Sequence, residues 1–285
     1  MYGSEVWSIY DKDDYNSWEK DIIEKAHISL CKQVLGVNKQ CPNVACRNEL
    51  GRLPLKELTD LNILKFWIHL ENQPEDSIAR QCLTISKELA NKNQIGLAQK
   101  VNKLCKTSNL NTANLAKNDP SSFLSQIRSS LSKKISEHQL NLIKNNKKLK
   151  FYSQFRTDCH KADFLNAINN PIHKKSLNKF RLGNHQLMIE TGRHTIPKTP
   201  ENLRICPFCQ LNEVEHELHF ILSCPFYNNL RSKFFDDIKK KYPNFNDLDK
   251  NSKIIFLFNN VDPFICRLTA GYVHLCMDLR QSFTI

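Results

Sequence analysis

Cys206-Pro207-Phe208-Cys209 is followed by nine residues, then by His219 and, four residues on, by Cys224. This C-x2-C-x9-H-x4-C run constrains the chain more than any other feature. A C-x2-C turn brings two thiolates to one point. A histidine and a cysteine five apart suit a short helical or turn segment that delivers a second pair. Zinc takes thiolate and imidazole ligands in a tetrahedron, and structural sites fill all four positions from the protein. The spacing therefore predicts a structural Zn2+ knuckle over 205–226, held by Cys206, Cys209, His219 and Cys224. His216 competes for the third position, but that choice leaves a looser x7 tail. The tighter spacing favours His219 and leaves His216 solvated or supporting the ligands.

Around this knuckle the sequence reads as an all-α protein. Only 7 glycines occur in 285 residues, 40% of which are hydrophobic, with 16 Phe. Few glycines mean few tight turns and long uninterrupted segments. Apolar residues recur at helical spacing from Asn16 to Leu35, where Asn16 can cap and Gly36 can close the end. Further helices are expected from Pro42 to Gly51, from Pro54 to Leu70, from Asp76 to Leu89, over 95–105, 121–146 and 227–242, and near 248–258 and 262–282. Residues 107–122, rich in Ser, Asn, Thr and Ala, read as a linker between a helical region at 1–106 and a basic segment at 123–204. The stretch 174–204 reads as short and irregular, and 227–285 as C-terminal helices. The 11 cysteines are odd in number and irregular outside the knuckle, which suits a reducing compartment better than a disulfide framework. The first residues lack the pattern of a secretory leader. No window approaches the ~18 apolar residues of a membrane span.

Net charge is +12, and its distribution says more than its total. Residues 131–204 hold 15 Lys and Arg against 5 Asp and Glu, whereas residues 1–30 hold 3 Lys against 7 acids. Positive charge massed beside a zinc knuckle suits neutralisation of nucleic-acid phosphates. The bland reading of such a run is a solvated helix face. The sequence shows no Ser/His/Asp elbow, P-loop or dinucleotide fingerprint. Phe234-Phe235-Asp236-Asp237 mimics the aromatic-x-Asp-Asp signature of polymerase palms, but it falls in an amphipathic helix before a lysine run, with no strands around it. The chain therefore reads as non-catalytic.

Several blocks resemble one family. Tyr2-Gly3-Ser4-Glu5-Val6-Trp7, then His27 to Val37, then Glu49-Leu50-Gly51-Arg52-Leu53-Pro54-Leu55 resemble the region after the palm in reverse transcriptases of LINE-type, non-LTR retrotransposons. Phe180 to Leu187 and Ile189 to Arg193 are similar to the stretch before that family's C-terminal zinc knuckle, and Arg204 to Pro225 to the knuckle itself. The resemblance is specific in these blocks and vague at 75–150 and after 245. It implies a helical thumb followed by the C-terminal knuckle region. The family's palm aspartates and endonuclease have no matching positions, so RNA-directed DNA polymerase activity does not carry over. What carries over is the knuckle and a basic approach to it that contacts RNA or DNA, here Lys174, Lys175, Lys179, Arg181, His185, Arg193 and Arg204. Arg193 can instead brace the knuckle through backbone carbonyls, and His185 can be a packed histidine. Gly192 is expected to mark a turn at positive φ. Phe208, Phe220 and Phe226 can stack on unpaired bases or form the knuckle's own small core. The resemblance also implies the parent's polymerase core as a partner, and nucleus or cytoplasm as location. Two other readings stay open: a zinc-stapled structural or protein-interaction module, and an inert remnant exposing the apolar face of 22–35.

Overall fold

A computed structural model describes residues 3–4, 15–107 and 120–283. The Tyr2–Trp7 block, Gly3 and Ser4 apart, and positions 108–119 of the expected linker lie outside the described residues. The fold is all-α, as the sequence leads one to expect. In chain order the helices are α1 (Tyr15–Trp18), α2 (Ile22–Leu35), α3 (Asn43–Glu49), α4 (Leu55–Glu71), α5 (Ile78–Asn91), α6 (Leu97–Thr107), α7 (Pro120–Asn145), α8 (Phe164–Ala167), α9 (Pro171–Arg181), α10 (Met188–Thr191), α11 (Asn228–Lys239), α12 (Lys250–Phe258) and α13 (Pro263–Ser282). Among the described residues β-pairing is confined to the isolated bridges Leu50↔Lys161 and Ile205↔Val214. No helix among them is long and apolar enough to cross a membrane.

The chain forms two compact units that interleave in sequence, Met1–His27 with Leu53–His138 and Ile28–Arg52 with Gln139–Ile285. The division does not follow the expected order of 1–106, 123–204 and 227–285, because α2 and α7 each supply residues to both units.

In the first unit, Pro54 precedes α4, and Ser77 caps α5 by accepting from the Arg80 amide at 3.2 Å. Leu64, Trp67, Leu83, Val101, Phe123 and Ile127 lie in its core. Lys56 pairs with Asp60 at 3.1 Å inside the unit, and Lys100 stands 3.9 Å from the same carboxylate. The single helix expected from Asn16 is two pieces. A turn follows Trp18, and Asp21, not Asn16, caps the longer helix by accepting from the Ile23 amide at 2.8 Å. Gly36, at φ +67, ends α2 in the left-handed conformation that glycine tolerates.

The second unit is built around aromatics. Phe151 meets Phe155, Phe180 and Phe258 edge-on at 5.2, 5.6 and 5.1 Å. Such pairs add about 0.5–1.5 kcal/mol each beyond area burial. Helix α9 packs along α13. It corrects the expectation of irregular chain from 174. Asn170 accepts from the Ile172 and His173 amides at 2.9 and 3.3 Å, Pro171 pre-sets the first turn, and Leu177 and Phe180 point into the core.

Candidate metal centre and basic cleft

The second unit brings the four spaced ligands together. The ligand atoms of Cys206, Cys209, His219 and Cys224 all lie within 4.8 Å of one another. Cys206 Sγ and Cys224 Sγ are 3.8 Å apart, and Cys209 Sγ and His219 Nε2 are 3.4 Å apart. Ligands bound at zinc distances of ~2.3 Å for sulfur and ~2.0 Å for nitrogen stand about 3.5–3.8 Å apart at tetrahedral angles. The residues fit a four-coordinate metal ion.

Local folding explains the fit. Cys206 N–H donates to Glu213 O at 3.0 Å and Glu215 N–H to Arg204 O at 2.9 Å, which closes a small hairpin around the C-x2-C turn. Asn212 sits at φ 51, a left-handed position asparagine tolerates. The other pair rides on a π-turn, His219–Ser223, in which the Cys224 amide donates to His219 O at 2.7 Å. This five-residue bond turns the x4 spacing into two ligands on one side of the backbone. His219 Nδ1–H donates to Glu213 Oε2 at 2.8 Å, which fixes the tautomer and leaves the Nε2 lone pair facing the sulfurs. His216 lies outside this cluster. Its Nδ1 accepts from the His219 amide at 2.9 Å, so it braces the backbone of the candidate ligand.

The cysteine thiols perturb one another. The hydrogen bond to Cys224 and burial push the Cys206 thiol up to about 12, and the same bond lowers Cys224. The sulfurs then share protons that a divalent ion would displace. Burial would lower the pKa of His219, but hydrogen bonds to Cys206 and Glu213 raise it.

Residues far along the chain clamp this centre. Arg280, on α13, pairs with the buried Glu215 through both oxygens, donates to Gln186 O at 3.1 Å and lies over the Phe208 ring at 4.5 Å. Glu215 in turn accepts from the Met188 amide at 2.7 Å. Arg231 donates to Cys224 O at 2.7 Å, and Tyr272 OH to Ile221 O at 3.0 Å. Sequence reading missed Arg280, Glu215 and Arg231, because a lone arginine on an amphipathic helix carries no local sign of a partner 65 residues away. Phe220 is fully buried, and Phe208 packs on Phe226 at 4.9 Å.

The expected nucleic-acid contacts separate into two groups. Lys175 and Lys179 are exposed and Lys174 half-buried on α9. Lys175, Lys179 and His185 line one cleft of about 560 Å³. Arg181 and Arg204 face inward, away from the contact surface expected for them, while His185 and Arg193 are held in cleft walls by bonds to the protein. Arg181 is buried, paired with Glu49 at 2.5 and 3.1 Å, and held between Phe155 and Phe164 at 4.6 and 4.5 Å. Arg204 is buried and donates to Ile189 O and Thr199 O at 2.8 and 3.0 Å. His185 is packed, its ring bonded to Glu217 at 3.2 Å. Burial would raise the pKa of Glu217, but that bond and the His185 charge hold it below the usual range. Arg193 is half-buried and bonds Glu190 and Lys147 O at 3.1 Å each. Gly192 has φ −64, so the expected positive φ is corrected. The glycine is there for room, since a Cβ would come within 2.8 Å of Arg204 Cγ.

The same cleft holds a hydrogen-bonded relay that sequence reading missed. Ser176 Oγ meets His274 Nδ1 at 3.1 Å, and His274 Nε2 meets Asp278 Oδ2 at 3.2 Å. Ser176 lies within α9, where the neighbouring amides are engaged along the helix, so no strand-to-helix elbow presents the hydroxyl. Asp236 and Asp237 lie on α11 and pair with Lys239 and Lys240 at 3.3 and 2.6 Å.

Charge divides with the units. The first holds 15 Lys and Arg against 15 Asp and Glu, the second 26 against 14, which is the whole net charge of +12. No protein family, curated protein or solved structure matches the chain.

Proposed function

We propose that the chain is a non-catalytic nucleic-acid-binding protein, the thumb and knuckle region of a LINE-type non-LTR reverse transcriptase. Zinc folds the hairpin, and the second unit neutralises phosphates of RNA or DNA. The observation that carries this reading is the confinement of the entire net charge to the unit that contains the metal centre. Lys175 and Lys179, which line the first cleft, and Lys174 next to them on α9 are the phosphate contacts. The test is titration of the zinc-loaded chain with labelled single-stranded RNA and DNA across salt. Log affinity should fall linearly with log salt, with a slope of about −0.7 for each phosphate neutralised on a single strand. Binding that is absent, or indifferent to salt, sinks the reading.

A second reading, a zinc-stapled protein-interaction module, draws on one observation. Helix α5 buries Leu83 alone and exposes Ile78, Ile85 and Leu89 along one side. Under that reading the partner is protein, such as the parent's polymerase core, and zinc loading changes its capture rather than the salt slope.

A further inference from the structure

A second cleft, of about 520 Å³, lies between the turn at 147–154 and the knuckle hairpin. Its volume is within the roughly 300–1,000 Å³ of small-molecule sites. Phe151, Ile189, Val214 and Leu218 give it an apolar lining, while Lys147, Lys150 and Arg193 stand in its wall. An apolar lining excludes a bare phosphate, and a cationic wall excludes a plain hydrocarbon. A nucleotide of an unpaired strand has both parts, a flat base and a phosphodiester. The pairing of Lys150 with Glu201 at 2.8 Å is exposed on both sides and yields readily to a phosphate.

One group adds selectivity. Glu190 lines this cleft and is only 5% exposed. Its Oε1 accepts from Arg193, but its Oε2 has no hydrogen-bond partner, and Lys148 Nζ stands 3.7 Å away. Its Oε2 is thus ion-paired with Lys148 but still open to a hydrogen-bond donor. Adenine, cytosine and guanine carry exocyclic amino donors. Uracil and thymine flank their single N–H with carbonyl oxygens, which a carboxylate repels.

We propose that this cleft seats one unpaired nucleobase bearing an exocyclic amino group, with Glu190 accepting from that group and Lys147 and Lys150 holding the adjoining phosphates. The proposal rests on the nucleic-acid reading above and adds a base preference that the knuckle and charge alone do not give. It also ties the cleft to the knuckle, whose hairpin supplies Val214 and whose π-turn begins after Leu218.

The test is fluorescence anisotropy of the zinc-loaded full chain with labelled oligo-rA, oligo-rC and oligo-rU at one salt concentration. The A and C strands should bind about tenfold more tightly than U, the ratio one charge-assisted hydrogen bond supplies. Glu190→Gln should remove that ratio. Should that variant fold poorly, Asn202→Trp, at an exposed position in the cleft wall, should block the cleft and level the three affinities with folding intact. Equal, salt-sensitive affinity for all three strands in the wild type overturns the base cleft and leaves phosphate binding standing. So does an A/U ratio unchanged in Asn202→Trp. If no strand binds, the function proposed above fails, and AMP against UMP decides the cleft alone. AMP-specific NMR shifts at Leu218 and Val214 uphold it, and equal or absent shifts overturn it.

Discussion

The two units differ in what they do with charge. The first is neutral, with 15 residues of each sign, and keeps an exposed apolar row on α5. The second carries the whole surplus and turns several of its charges inward as pairs, Arg181 on Glu49 and Arg280 on Glu215. Buried pairs add little net stability, because desolvation offsets their attraction, but breaking one is expensive. These pairs join chain segments that no helix links, and Arg280 reaches the hairpin beside the metal ligands. In the first unit the buried pair of Lys56 with Asp60 lies within one helix, whereas the second unit's buried pairs tie distant segments into one register.

Chelation, on the metal-bound reading proposed above, tests the comparison most severely. Structural zinc contributes on the order of 10 kcal/mol to small domains that fold around it. Chelation, or Cys206→Ser with Cys224→Ser, should abolish hydrogen-exchange protection across the knuckle and spread along 185–224. Protection of α4 to α6 should survive. Collapse of protection in both units together would show that they share one cooperative core. Full protection without metal would show that the cluster is only a packed set of thiols.

The next effect belongs to the buried pair. Glu49→Leu should cost about 3–5 kcal/mol in urea unfolding, since it strands the Arg181 guanidinium among aromatic rings. Glu49→Leu with Arg181→Met should recover most of that loss. In the first unit, Leu64→Ala should cost a comparable ~2–5 kcal/mol through cavity formation, with no such rescue available. A double variant as unstable as Glu49→Leu would overturn the view that the pair specifies register more than it stabilises.

How far this was legible in the sequence follows from how local each signal is. The Cys3His cluster, the all-α class and most helices rest on spacings within some 20 residues, and these are what the structure assembles. Helix α9 is hard to read because its four Lys and Arg outnumber Ile172, Leu177 and Phe180, although Asn170-Pro171 is a readable start. Arg181 and Arg204 read as surface contacts because a sequence gives their charge and not their partners, and the partner of Arg181 lies 132 positions away. The expected break at 107–122 missed the interleaving of the units, because composition cannot show that one helix serves two cores.

A smaller effect tests where the surface charge acts. Lys175→Glu with Lys179→Glu should flatten the salt slope by roughly 1.4, two contacts at about 0.7 each on a single strand. Lys87→Glu with Lys92→Glu, in the neutral unit, should leave the slope alone. Equal effects of the two pairs would mean that net charge and not the α9 face governs binding.

The smallest effect is a titration at the start of α13. Asp262 accepts from Lys241 and Tyr242 at 2.7 Å each and from the Phe264 amide at 3.0 Å, capping the helix. The Lys241 bond first, then those of Tyr242 and the amide, hold its pKa down to about 2. An acid with a depressed folded pKa stabilises the fold above its unfolded value of about 3.9, and that contribution disappears as pH falls through about 2. Asp262→Ala should therefore cost about 1 kcal/mol at pH 6, the usual worth of a cap, and the gap from wild type should close by pH 2. Urea midpoints of the two proteins at pH 6, 4 and 2 measure it. A gap that persists at pH 2 would mean that Asp262 acts through packing, and that the second unit's surface pairs contribute shape where its buried ones contribute register.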